Sequence, residues 1–159
     1  MTSRRRVVAT AAHTAWATPV ILAASAAPAR ASSVNGGVDV IGFDVTRSAA
    51  VGTAAFTLKN NTGGNVPPII FVILSVTGTP GPSGPVVSGV AWLPGGVTTT
   101  PTGFTIELQY NSALAAGATS SEVTVTFTAG DPGAGSASAT LTSPAIAVTG
   151  SESGTGTYT

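Results

Sequence analysis

The sequence predicts an all-β fold, an antiparallel sandwich of about seven strands, on three observations. Apolar residues recur with a period of two rather than 3.6. The stretches between them are built from Gly, Pro, Asn and Asp, the residues that preset turns. No segment shows a capped apolar stripe at helical spacing. Composition points the same way: of 159 residues, 20 are Gly and 11 Pro, 43% are apolar, 8% are charged and none is Cys. Such a chain is neither a helical bundle nor a disulfide-stapled mini-domain.

The elements follow in chain order. Residues 1–31 have the three parts of an export signal. These are the basic start Ser3-Arg4-Arg5-Arg6, an apolar stretch from Val7 to about Ala27, and the small-residue cleavage site Ala29-Arg30-Ala31. Ser3-Arg4-Arg5 followed by Arg6 and the apolar Val7 and Val8 resembles the twin-arginine export motif, and the mild core with His13 and Pro19 is similar to the cores of that class. The resemblance implies a passenger that crosses the membrane already folded. Ala, Thr, His13 and Pro19 make the stretch a weak membrane span, which favours a cleaved signal over a retained anchor. The expected divisions are therefore a signal at 1–31, a sandwich at 32–149, and a disordered polar tail at 150–159.

Within the sandwich, Ile41, Phe43 and Val45 alternate with Gly42, Asp44 and Thr46, and Ala54, Phe56 and Leu58 alternate with Ala55, Thr57 and Lys59. Strands are also predicted at about Ile69 to Thr77 and Val86 to Trp92. Phe104-Thr105-Ile106-Glu107-Leu108-Gln109-Tyr110 sends four apolar side chains to one face and three polar ones to the other, as a half-buried strand does. Val123, Val125 and Phe127 repeat the pattern. Ala139 and Leu141 keep one parity and Ile146 and Val148 the other, so a bulge is expected at Ser143-Pro144. Asn60-Asn61-Thr62-Gly63-Gly64, Gly78-Thr79-Pro80-Gly81-Pro82, Pro94-Gly95-Gly96 and Gly130-Asp131-Pro132-Gly133 supply the turns.

Ala54-Ala55-Phe56-Thr57-Leu58-Lys59-Asn60-Asn61-Thr62-Gly63, and Leu114-Ala115-Ala116-Gly117-Ala118-Thr119 leading into Val123-Thr124-Val125-Thr126-Phe127, resemble bacterial immunoglobulin-like surface domains. In that family a strand ends in Asn-x-Thr-Gly, and a Leu-x-x-Gly turn precedes a Thr/Val strand. The likeness spans about residues 38 to 149 and implies an immunoglobulin-like β-sandwich that works by contact. This chain departs from the pattern in its single copy, its lack of a Cys pair, and its long Pro/Gly-rich segment from Gly78 to Gly103.

Charge and inventory exclude several functions. Past residue 31, Arg47 and Lys59 face Asp39, Asp44, Glu107, Glu122, Asp131 and Glu152, a net charge of −4. Such a domain does not neutralise a run of phosphates, so neither nucleic acid nor a membrane surface is an expected partner, and the membrane is met only in transit during export. The single His, His13, lies in the leader. Ser-His-Asp and Cys-His catalysis and zinc sites therefore lack their ligands, and no catalytic residue, cofactor or metal is expected. Glu107 and Glu122 form the one conceivable glycosidase pair, but both take the polar parity of a solvated carboxylate. Asp131 with Asn60 and Asn61 makes a poor calcium cage, and Asp-Pro-Gly is first a turn. Asn60-Asn61-Thr62 matches a glycosylation acceptor but reads better as a turn.

Two candidate contact sites remain. Trp92 is the candidate platform for a sugar ring if the chain is a small carbohydrate-binding module, against the alternative that it fills the core. The strand Ile69-Ile70-Phe71-Val72-Ile73-Leu74 is apolar on both faces, yet a strand of a two-layer sandwich turns only one face to the core. The other face, either Ile69, Phe71 and Ile73 or Ile70, Val72 and Leu74, needs a cover. Either the segment Gly78 to Gly103 folds back over its own sheet, or a partner binds there. With 21 Thr and 14 Ser after residue 31 against eight charges, the surface suits an envelope or extracellular module. The expectation is a secreted, non-enzymatic domain. Its expected partner is an envelope protein or polysaccharide, or weakly a second copy of itself.

Overall fold

A computed structural model describes residues 37–130, 133–142 and 153–159. The export-signal residues Ser3, Arg4, Arg5, Ala29 and Ala31 lie outside these segments, as do the predicted slip at Ser143-Pro144, Ile146, Val148, and the Asp131-Pro132 turn. The described residues form nine strands and no helix: β1 (Val38–Ser48), β2 (Val51–Asn60), β3 (Ile70–Thr79), β4 (Ser83–Ser88), β5 (Trp92–Thr100), β6 (Gly103–Tyr110), β7 (Val123–Thr128), β8 (Ala134–Leu141) and β9 (Ser153–Tyr158). They make a β-sandwich of two antiparallel sheets, ordered β1-β2-β7-β4 and β5-β6-β3-β8-β9.

The period-two reading locates the core. Ala54, Phe56 and Leu58 of β2, Val123, Val125 and Phe127 of β7, and Phe104, Ile106, Leu108 and Tyr110 of β6 are all buried, as their parity predicts. Two aromatic chains join the layers. Phe43, Phe56, Trp92 and Tyr110 follow one another at centroid distances of 5.8, 5.6 and 5.1 Å, and Phe104, Phe127 and Tyr158 at 5.6 and 5.7 Å. Three of these five contacts are edge-on and the Phe43–Phe56 pair is stacked, arrangements that add to the burial of the rings themselves. Phe127 has room because its register partner is Gly52, where a Cβ would lie 2.2 Å from the ring.

Four expectations are corrected. In β1 the inward residues are Val38, Val40 and Val45, with Phe43 packed against them, while Ile41 is only half-buried. The register shifts between Ile41 and Asp44, where Gly42 takes φ +63°, and this bulge reverses the parity that simple alternation would give. The single strand expected at Val86 to Trp92 is two strands in different sheets. Ala91 has φ +64° and ends any continuous ladder, so β4 pairs with β7 and β5 with β6. The segment Gly78 to Gly103 therefore does not fold over its own sheet: half crosses to the facing layer and half extends the edge beyond β6. Finally, the C-terminal residues read as a disordered tail include β9, which pairs with β8 from Gly135↔Tyr158 to Thr140↔Ser153. Polar composition concealed it, because a strand at a sheet edge with one face in water needs few apolar residues. Here Tyr158 alone supplies a large one, at 3% exposure.

Candidate functional site

β3 is the central strand of the five-stranded sheet, and its two faces have different fates. Ile70, Val72, Leu74 and Val76 are fully buried in the core. Phe71 and Ile73, pointing the opposite way, are half-buried on the outer face. Their neighbours there follow from the register: Phe71 stands beside Gln109, which stands beside Leu93, and Ile73 lies between Glu107 and Thr140. Leu93 is 48% exposed and Ile69, at the head of the strand, 46%. Both sets are equally apolar, so the sequence alone does not say which face of this strand is buried. The burial of its neighbours decides it.

Two features distinguish this strip. Five Phe, Trp92 and two Tyr are the aromatic residues of the described segments. Seven of these belong to the two cross-sheet chains, and Phe71 belongs to neither. Secondly, Ile69 has φ +77°. Of the three non-glycine residues at positive φ among the described residues, Ala49, Ile69 and Ala91, it alone is β-branched, and a branched Cβ is strained there by about 1 to 3 kcal/mol. Its amide donates to the Tyr110 carbonyl at 3.1 Å, which holds it in place.

The second candidate, Trp92, is buried at 5% exposure. Phe56 lies edge-on to its ring, Tyr110 packs at a tilt, and Nε1 donates to the Ser121 carbonyl at 3.0 Å. The indole is a pin between the sheets and offers no open face on which a sugar could stack.

The carboxylates are dispersed. Glu107 lies exposed on the outer face of β6, in the five-stranded sheet, whereas exposed Glu122 precedes β7 in the other sheet. Among the described residues no three His, Cys, Asp or Glu side chains cluster so as to hold a metal ion. Asn60 is fully buried, and its Nδ2 donates to the carbonyls of Gly64, Leu114 and Ala115 at 2.8 to 3.0 Å. An amide committed in this way is not a free acceptor for a glycan. Asn61 donates instead to Asp39. Ser120, another buried polar residue, had no sequence signal: its Oγ accepts from the Leu58 amide at 2.9 Å and donates to the Ser121 carbonyl at 2.8 Å.

No protein-family model matches the chain, and no curated protein is similar to it.

Proposed function

We propose that the chain is an exported, non-enzymatic immunoglobulin-like domain of the cell envelope or extracellular space, acting by contact with a protein or the cell wall. The observation that carries this reading is the strip of Phe71, Ile73 and Leu93 on the outer face of the five-stranded sheet, with exposed Ile69 at its end. Phe71 is the one aromatic of the described residues that takes no part in the two cross-sheet chains, and aromatic anchors dominate contact surfaces. The strained Ile69 supports the same reading, since backbone strain concentrates at functional positions.

Phe71→Ser and Val72→Ser form the test, because adjacent residues of one strand point to opposite faces. Val72→Ser places a hydroxyl in the core and is expected to lower stability by about 3 kcal/mol in urea titration. Phe71→Ser, at a half-buried position, is expected to cost about 1 to 2 kcal/mol, less than Val72→Ser, yet to abolish co-sedimentation of the protein with isolated cell envelopes. Undiminished co-sedimentation of Phe71→Ser would remove the strip as the contact site.

A further inference from the structure

The other end of the same outer face carries a second feature, chemically unlike the apolar strip. On β3, Ser75 and Thr77 alternate with buried Leu74 and Val76. On β8, Ser136 and Ser138 flank buried Ala137. On β9, Thr155 and Thr157 alternate with Gly156 and buried Tyr158. The registers align these six hydroxyl residues in two cross-strand rows, Thr77–Ser136–Thr157 and Ser75–Ser138–Thr155. Together they line a shallow cavity of about 450 Å³ whose floor between the rows is formed by Ala137 and Gly156. Strand geometry sets the hydroxyl grid at about 4.8 Å between strands and about 6.7 Å between rows, so the three strands span about 10 Å. One row continues past β3 through Thr105 to Thr98, which makes a rank of hydroxyl residues across all five strands.

We infer that this cavity is a binding subsite for a neutral glycan, one or two sugar rings in extent. The lining chemistry selects the class. It holds no cation for a phosphate or carboxylate, no carboxylate for an amine or a metal ion, and no aromatic ring for a nucleobase. Every polar side chain in it is a hydroxyl, which both donates and accepts and rotates to suit its partner. The ligand that matches a grid of such groups is one that itself presents a grid of hydroxyls. The hydroxyls are only lightly committed to one another: Thr77 Oγ1 and Ser136 Oγ lie 3.2 Å apart, and Ser75 Oγ and Thr105 Oγ1 3.3 Å, so each pair uses one donor and leaves the other to a ligand. Ala137 and the Cβ position of Gly156 face inward, so a ring laid between the rows meets backbone. This inference requires neither export nor the Phe71 strip.

The test is a titration of the isotopically labelled full chain with cellohexaose, xylohexaose and the hexamer of N-acetylglucosamine, followed by amide chemical shifts. A saturable shift with at least one of the three is expected, confined to β3, β8 and β9. The double variant Thr155→Val, Thr157→Val keeps the side-chain shape and strand preference, so its thermal midpoint should be unchanged while affinity falls at least about tenfold, as the loss of two hydrogen bonds implies. Ser136→Ala, on the neighbouring strand, should weaken binding several-fold. Phe71→Ser should bind as the parent does, so that failure of the envelope-contact reading and failure of this one are distinguishable. Absence of saturable shifts with all three sugars overturns the proposal. So does undiminished affinity of the double variant, or tighter binding of hexagalacturonate than of any neutral hexamer.

Discussion

Asn60 joins two loops that are distant in sequence. Besides its three donated bonds, its Oδ1 accepts from the Thr62 amide at 2.8 Å and the Thr62 hydroxyl at 2.6 Å, closing a local turn. Because Nδ2 has two hydrogens for three carbonyls, one hydrogen is shared. Asn60→Ala would remove all five of these side-chain bonds from a fully buried position, and is expected to cost about 3 kcal/mol in urea denaturation. The sequence showed the turn at Asn60-Asn61-Thr62-Gly63 but not this role, because a bond to Leu114 spans 54 positions and has no local signature. Tyr158 makes the second residue-scale prediction. Burial raises its phenol above the ordinary value of 10.0, and the charge of Arg47 partly opposes the shift. The folded chain therefore holds that proton more tightly than the unfolded one. The associated stability is fully present below pH 10 and is lost as pH rises through the higher folded value. Urea midpoints measured from about pH 9 to about 11.5 should fall, and Tyr158→Phe should flatten that fall. At neutral pH the substitution should cost only about 0.5 to 1.5 kcal/mol, because the hydroxyl's bond to the Thr77 carbonyl is long at 3.3 Å.

At the scale of elements, β9 shows how a strand escapes recognition. Its inward positions are Gly154, Gly156 and Tyr158, and the first two are glycine because side chains of β1 occupy the space. A Cβ at Gly154 would lie 2.5 Å from Phe43, and one at Gly156 2.7 Å from Val45. Gly156→Val should therefore force β9 away from β1 and lower stability by about 1 to 3 kcal/mol. Gly63→Ala, where a Cβ meets nothing within 4 Å, is the neutral control in the same urea titration. Strands with three or more alternating apolar residues, such as β2, β6 and β7, were legible because hydrophobic burial alone dictates their register. β1 was half legible, since a bulge at Gly42 reverses parity without changing composition. β5 and β9 were not, because an edge strand with little apolar burial, β5 being exposed along its whole length after Trp92, is chosen by ladder hydrogen bonds and shape, neither of which a hydropathy pattern records.

For the whole molecule, the signal-like start and the sandwich make separate claims. If the arginine pair is read by the export machinery, Arg4→Lys with Arg5→Lys should retain the protein inside the cell, scored by the fraction of antigen in the medium and envelope. Continued secretion would sever the domain from that route. The apolar strip was legible as a problem, a strand with two apolar faces, and the fold shows which face stays outside. The hydroxyl cavity was not legible, because Ser and Thr occur throughout the chain and only the register of three strands from distant parts of it places six of them together. The β1–β2 hairpin has a further consequence. Past residue 31, Arg47 and Lys59 are the only sites at which trypsin can cut. Both are locked in that ladder, Arg47 opposite Gly52 and Lys59 opposite Asp39. Digestion past residue 31 therefore waits on local opening of that ladder at one end or the other, and the proteolysis rate becomes a clock for that opening.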